Sequence, residues 1–276
     1  MAGLDLRGRV AVVTGAAKGI GRATALELSA QGARVAGCDT DEPGLRATLR
    51  ECAALGAPAT LGEVLDVSEA DPMQAFAERV ERELGPTLCL VNNAGVGVSA
   101  GFFDTELCDW EWLLRVNLWG TIHGARAFGP LMRGRRQGRI VNVASASGYC
   151  NLPALAAYGT TKYAVVGLSE ALRAELLPSG VMVSVVCPGL VSTSILDGAR
   201  IRGVPDVDAE RRALQELYRR RGHAPEAVAR AIVGALKSGK AMVPVTSEAW
   251  LLYVMKRAMP AALPWLLRAS ERLYQK

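Results

Sequence analysis

Tyr158 and Lys162 stand four residues apart in a stretch of helical pattern, which places both side chains on one helix face. Six tyrosines and six lysines in 276 residues give about 0.13 such pairs by chance, so the spacing gains its weight from chemistry. A free phenol ionises near pH 10, too high for easy proton exchange at neutrality. An ammonium about 5 Å away, at an effective dielectric of about 20, favours the phenolate by roughly 3 kcal/mol, or about 2 pKa units. The pair therefore predicts a general acid/base, with Tyr158 carrying the proton and Lys162 as the tuning cation.

A second stretch lies near the start. The short run Val10 to Thr14 leads into Thr14-Gly15-Ala16-Ala17-Lys18-Gly19-Ile20-Gly21, and a helical pattern then continues to about Gln31. Glycines at 15, 19 and 21 leave no side chain between backbone and ligand. A helix starting there presents unpaired N–H groups and a positive dipole end to a pyrophosphate. A glycine trio alone also fits a plain turn; its place between a strand and a helix favours a dinucleotide site. The spacing is GxxxGxG rather than the commoner GxGxxG. Eighteen residues past Gly21, Asp39 ends a second strand. A carboxylate there accepts hydrogen bonds from both adenosine ribose hydroxyls and repels a 2′-phosphate. Cys38 and Thr40 bring no offsetting cation, so NAD is expected over NADP; Lys18 is the contrary signal.

The elements that must position these residues alternate. Strands are expected at Val10 to Thr14, Arg34 to Cys38, Leu61 to Val67, Thr87 to Asn92, Arg139 to Val143, Val181 to Cys187 and Ala241 to Val245. Helical patterns fill the gaps, notably around 69–84, 105–133, 154–177 and 224–237. Strand–helix alternation implies parallel pairing through right-handed crossovers. Near-continuous apolar strands imply burial on both faces. The expected fold is α/β: a doubly wound parallel sheet, the Rossmann fold, in a single domain over residues 1–247. Residues 190–222 interrupt the rhythm with Gly, Arg and Asp and a helical piece near 208–221, the pattern of a substrate lid. Residues 248–276 read as an apolar C-terminal extension of the same domain.

Composition narrows the classes. Half of the residues are hydrophobic and 21% are charged, which excludes a disordered chain. The net charge of +5 suits anionic nucleotide ligands without requiring nucleic acid, and none is expected as a partner. The arginine runs at 135–136, 211–212 and 219–221 read as solvated helix faces. Six cysteines without a CxxC pair, mostly among apolar neighbours, fit reduced buried thiols in the cytoplasm. With only His123 and His223, neither a zinc site nor a Ser-His-Asp triad is expected, and both histidines read as structural. The first residues lack the apolar stretch of a signal peptide, and no apolar run is long enough to span a bilayer.

Taken together, Thr14 to Gly21, Asp66-Val67, Asn92-Asn93-Ala94-Gly95, Asn117, Ser145, Tyr158 to Lys162, and Pro188-Gly189 followed by Thr193 resemble the classical short-chain dehydrogenase/reductase family, in the right order across residues 8–245. The resemblance implies an NAD(P)-dependent alcohol dehydrogenase or ketone reductase with Asn117, Ser145, Tyr158 and Lys162 as catalytic residues. Ser145, thirteen positions before Tyr158, would hydrogen-bond the substrate oxygen; Ser147 is the competing serine. Lys162 would also hold the nicotinamide ribose, and Asn117 a water that relays protons from Lys162 to solvent. The cofactor residues it implies are Gly15, Lys18, Gly19, Ile20, Gly21, Asp39, Asp66, Val67, Asn93, Ala94, Gly95, Tyr158, Lys162, Pro188, Gly189, Val191 and Thr193. Here the usual double serine is Ala144-Ser145, which leaves the catalytic hydroxyl in place.

Substrate residues are expected among Ser145, Ala146, Ser147, Leu152, Leu155, Tyr158, Leu190 and Ile195, with Val96, Gly97, Asn151 and Leu196 nearby. Most are apolar, so a hydrophobic secondary alcohol or ketone is expected rather than a sugar. The competing classes are a nucleotide-sugar epimerase, which resembles a TGxxGxxG turn with a larger second domain, and a catalytically silent cofactor-binding regulator, which would have lost one of the catalytic residues. A homodimer or homotetramer is expected from the apolar helices around 105–133 and 154–177. The tail 249–267 mixes Trp250, Tyr253 and Trp265 with Lys256, Arg257, Pro260 and Pro264, followed by Arg268, Arg272 and Lys276. It reads as packing on its own domain, pocket or partner subunit, with peripheral membrane contact as the second reading. The expected location is cytoplasmic, with membrane association following only from that second reading.

Overall fold

A computed structural model describes residues 4–261. β1 (Val10–Thr14), β2 (Arg34–Asp39), β3 (Thr60–Val64), β4 (Thr87–Asn92), β6 (Gly138–Val143), β7 (Val181–Cys187) and β9 (Met242–Pro244) form one sheet in the order β3-β2-β1-β4-β6-β7-β9. Every pairing in it is parallel. The strands have the apolar sequence that burial on both faces demands; Val12, Val13, Leu90, Val91 and Val186 have no exposed surface. Helices α1 (Gly19–Ala30), α2 (Glu42–Ala54) and α8 (Pro225–Ser238) close one side around Leu28, Leu45, Val228, Ile232 and Leu236. Helices α3 (Ala70–Glu83), α5 (Gly120–Gly134) and α6 (Ala156–Leu176) close the other around Met73, Phe76, Phe128, Met132 and Leu176. The result is the doubly wound Rossmann-type sheet expected, in one domain.

The chain leaves β1 toward β2 on one side and toward β4 on the other. A crevice must open at the C-terminal ends of β1 and β4, where the strand order reverses. That crevice receives the glycine turn, the Asn92-to-Gly95 segment, the end of β6 with Ser145, and the end of β7 with Pro188-Gly189.

Several expectations change in detail. The helix expected over 105–133 is α4 (Leu107–Leu113), a wide π-helical turn (Leu114–Trp119) and α5 in unbroken succession. The extra residue per turn lies where Asn117 must reach sideways, and such bulges cluster at working positions. The third strand ends at Val64, not Val67. Asp66 turns back to accept the Ser68 N–H at 2.8 Å, which removes the pair Asp66-Val67 from the ladder. Helix α2 was not singled out from the sequence, although Asp41 caps the Gly44 N–H at 3.1 Å with Pro43 in the first turn.

Residues after β7 form a short strand β8 (Arg200–Ile201), which pairs in parallel with β5 (Val98–Ser99), and then α7 (Val207–Arg221). The last helix, α9 (Ser247–Ala258), buries Ala249 and packs Leu252, Tyr253 and Met255 beneath the loop that follows β6. Tyr149 donates its hydroxyl to the Ala249 carbonyl at 2.7 Å. The remainder of the apolar tail, with Pro264, Trp265, Arg268, Arg272 and Lys276, lies outside the described residues. Among the described residues no helix is long and apolar enough to cross a membrane.

Candidate active site

The glycine turn is built by exclusion. Gly15 has φ +66°, and a Cβ there would lie 2.8 Å from the Ala94 Cα. A Cβ on Gly21 would lie 1.9 Å from the Gly15 carbonyl oxygen. Both positions admit only glycine. Asn93 locks the turn to β4: its amide nitrogen donates to the Thr14 and Gly15 carbonyls at 2.9 and 3.2 Å. The Thr14 hydroxyl accepts the Asn93 and Ala94 N–H groups at 2.9 and 3.0 Å. Helix α1 begins behind this turn without a side-chain cap and without an acidic residue in its first turn. Its N–H groups and positive end are left for an outside anion, as a pyrophosphate requires. Lys18 is exposed at the rim, and Ile20 packs against the core beside its backbone.

Asp39 stands at the end of β2 beside this helix. Its carboxylate accepts the Ala17 N–H at 2.9 Å and the Asp41 N–H at 3.0 Å, which fixes it over the turn. Past β3, Asp66 is exposed, while Val67 is buried against Gly120 and its carbonyl lies 2.9 Å from the His123 Nδ1. On the far side, the Pro188 carbonyl accepts the Ala146 N–H at 2.7 Å, Val191 is buried, and Thr193 faces Gly19. The residues expected to hold a dinucleotide thus converge on one crevice. They leave a glycine-cleared floor, an anion-seeking helix end and a carboxylate at the outer edge, the donor set that such a cofactor needs.

Tyr158 and Lys162 share one face of α6, with the ammonium 5.6 Å from the ring centroid. Lys162 is only 4% exposed and donates to the Val143 carbonyl at 3.2 Å. A Cβ on Gly95 would lie 3.5 Å from its Nζ and 3.3 Å from Asn117 Oδ1, so glycine leaves room between them. Asn117, 1% exposed, accepts the Val96 N–H at 2.8 Å and donates to the Val96 carbonyl and the Thr161 hydroxyl, each at 3.1 Å. Thr161 in turn donates to the Tyr158 carbonyl at 2.7 Å. Ser145 accepts the Ser147 N–H at 3.1 Å, and it lies near enough to Tyr158 to favour the ionised phenol.

Burial dominates the electrostatics. It pulls the Lys162 ammonium down to about 8 and pushes the Tyr158 phenol above its ordinary value, with Tyr218 adding to the rise and Ser145 opposing it. The spacing alone had led to the opposite expectation for Tyr158, a phenol lowered by its neighbour. Loss of solvent around the phenol sets the direction of its shift.

Among the expected substrate residues, Tyr158 and Ser145 meet, Ile195 faces Gly97, and Leu155 bridges to Ala100. Leu152 is exposed at the mouth, and Leu190 donates its N–H to Glu248. Ser147 is buried, and Ala146 packs into the cluster with Tyr149, Val165 and Ala249, away from this wall. Sequence reading did not single out Glu248 or Thr161. Glu248 Oε1 accepts the Leu190 N–H at 3.1 Å and its Oε2 lies 3.3 Å from His223 Nε2, joining the two ends of the segment 190–222. No spacing rule links residues so distant in the chain.

The geometry suits a nicotinamide cofactor, and comparison with known proteins gives the family. The short chain dehydrogenase family model matches residues 9–201, and the chain belongs to that family. The Mycobacterium tuberculosis protein named "Probable oxidoreductase EphD" is 42% identical over 95% of this chain, but the chain spans only 44% of that protein's length. Estradiol 17-beta-dehydrogenase 11 of Mus musculus is 32% identical over 93% of this chain and 81% of its own. A short-chain dehydrogenase/reductase from Burkholderia phymatum, solved in complex with NAD, superposes with a TM-score of 0.85 at 31% identity, covering 92% of this chain and 94% of its own.

The buried lysine predicts a stability signature. Below pH 8 folded and unfolded chains both hold the Lys162 proton, and the folded state bears the cost of the buried charge. From about 8 toward the ordinary value of 10.5 the unfolded chain holds more protons, so stability rises with pH. Between pH 7 and 9.5 the wild type should gain about 2 kcal/mol relative to Lys162→Met, measured as the difference between their urea unfolding curves. Parallel behaviour of the two proteins would show that Lys162 is not desolvated.

Proposed function

We propose that this protein interconverts a hydrophobic secondary alcohol and its ketone, with Tyr158 as the general acid/base and NAD as the preferred cofactor. The observation that carries the reading is the convergence of Ser145, Tyr158, Lys162 and Asn117 at the mouth of the dinucleotide crevice. A nicotinamide cofactor, when bound, would supply or accept the hydride, and its oxidised ring carries a positive charge. The chain supplies the rest. In reduction, Ser145 hydrogen-bonds the carbonyl oxygen and Tyr158, protonated at neutral pH, donates to the developing alkoxide. In oxidation the same phenol must first lose its proton. A lysine titrating at about 8 is poised to exchange protons near neutrality, and Asn117 lies beside it to hold a relaying water.

The residues assigned to the cofactor are those around the crevice: Gly15 to Gly21 for the pyrophosphate, Asp39 for the adenosine ribose, Asp66 and Val67 for the adenine, Asn93 to Gly95 along its path, and Pro188 to Thr193 at the nicotinamide end. The pocket wall of Val96, Gly97, Leu155, Leu190 and Ile195 is apolar, which supports a lipophilic substrate. The name of the mouse relative, a steroid dehydrogenase, points the same way. Trp119 just before α5, Tyr163 on α6 and Leu177 just after it leave large apolar surface exposed, which supports a dimer or tetramer. On α9 the inner residues pack against the domain. Trp250, Leu251 and Val254 face outward beside Lys256 and Arg257, an arrangement that also suits a membrane interface.

Tyr158→Phe removes only the transferable proton. Turnover of a panel of estradiol, 1-phenylethanol and 2-decanol, followed by nicotinamide absorbance, should fall at least about a thousandfold while NAD affinity stays within about twofold. Retained turnover would remove Tyr158 from the mechanism; a wild type inactive on every panel member in both directions would remove the substrate class.

Asp39 generates a separate expectation. The wild type should show a higher kcat/KM with NAD than with NADP, and Asp39→Ala should narrow that ratio by about tenfold or more, because the repelling charge near a 2′-phosphate is gone. A wild-type preference for NADP would show that Lys18 outweighs the carboxylate.

A further inference from the structure

The lid strand β8 and its flank read Arg200-Ile201-Arg202. Alternation along a strand sends both arginines to one side and Ile201 to the other. Ile201 is buried. The arginines converge on Asp109 of α4, whose side chain has no exposed surface. Arg200 Nη1 donates to Asp109 Oδ1 at 2.8 Å; Arg202 donates through Nε to Oδ2 at 3.0 Å and through Nη2 to Oδ1 at 3.3 Å. The Arg200 guanidinium also lies 4.2 Å from the centroid of the Trp112 ring. Burial alone would raise the Asp109 carboxyl, but the hydrogen bonds from Arg202 and Arg200 hold it below its ordinary value. A buried carboxylate stripped of its partners is strongly unfavourable, so β8 should dock as a unit or leave as a unit.

Asp109 belongs to the helical run that carries Asn117. Helix α4 passes into the wide turn without a break. Asn117 grips Val96 through two hydrogen bonds, and two residues further on the chain enters β5, the partner of β8. The lid's N–H groups close the circuit: Arg200 donates to the Gly97 carbonyl and Arg202 to the Ser99 carbonyl, both at 3.1 Å. One helical run therefore holds both strands of this ribbon, β8 through Asp109 and the entrance to β5 through Asn117. Asn117 also reaches Thr161, which bonds the Tyr158 carbonyl.

We propose that Asp109 is a positioning residue: it latches the substrate lid to the helical run that carries Asn117, so that lid docking and the alignment of Asn117 on Val96 and Thr161 occur together. The latch rests on the roles proposed above for Asn117 and Tyr158 only in its kinetic consequence; its mechanical part is independent of them. With the lid docked, the ribbon steadies Val96 against Asn117. With the lid lifted, Gly97 to Ser99 lose the β8 partner, and the neighbouring Asn117 contacts to Val96 loosen.

The test is hydrogen exchange at single amides of the full chain, wild type against Asp109→Asn. The Arg200 and Arg202 amides report on the lid, and the Val96 amide, which donates to Asn117, reports on the catalytic side. All three should exchange about tenfold faster or more in the variant, while Val12 and Val91 in the central strands keep the wild-type rate. Acceleration confined to Arg200 and Arg202, no acceleration, or equal acceleration of Val12 and Val91 would overturn the proposal. Arg202→Gln, on the more exposed side of the ion pair, should give the same pattern and carries the test if Asp109→Asn does not fold. With the panel alcohol that turns over fastest, Asp109→Asn should lower kcat about tenfold besides raising KM. A rise in KM alone would reduce the latch to substrate retention and overturn the coupling. Exchange needs no turnover, so a wild type inactive on the panel would remove the functional reading and leave the latch to be judged by exchange.

Discussion

A lysine ammonium removed from water beside a partly buried tyrosine phenol on one helix face sets the terms for the rest of this structure. Lys162 is left with the Val143 carbonyl and the narrow space between Gly95 and Asn117. Water would have solvated it from all sides; here the protein supplies a few fixed dipoles, and the proton is held weakly. Holding those dipoles in place accounts for much of what surrounds them. Asn117 sits in a π-helical turn, Thr161 ties it back to α6, and Gly95 keeps its side of the gap clear. A buried cation that lost these partners would strongly destabilise the fold, so each of them matters to stability.

The same economy shapes the cofactor crevice. The switch in strand order opens it, but glycines keep it open: at Gly15 and Gly21 a methyl group would collide with backbone. The wall behind Ser145 is completed from the far end of the described chain, where α9 covers Tyr149 and Ala146 and Glu248 joins the two ends of the segment 190–222. Residues 247–258 are thus part of the site's support.

The sheet was legible because its central strands are apolar runs bounded by turn residues, and most helices between strands repeat their apolar face with the helical period. The Tyr158/Lys162 pair was legible because four residues on a helix fix a common face. The direction of the Tyr158 shift was not legible. Spacing reports the distance between two groups and says nothing about how much water surrounds them. The two-residue strands β5 and β8 were invisible, since two residues have no period. The π turn at Asn117 was invisible because a helix and a widened helix share the same pattern over one turn. Asp109, Thr161 and Glu248 have ordinary neighbours in sequence, and their partners stand 91, 44 and 58 residues away.

Burial holds the phenol above its ordinary value, and the positive charge of an oxidised nicotinamide would favour its ionised form. Ultraviolet difference titration near 295 nm, comparing the wild type with Tyr158→Phe, isolates the ionisation of this one tyrosine. The account predicts ionisation above pH 10 without cofactor and a clear fall toward neutrality with saturating NAD, but not with NADH, which lacks the ring charge. The same titration under all three conditions would contradict it.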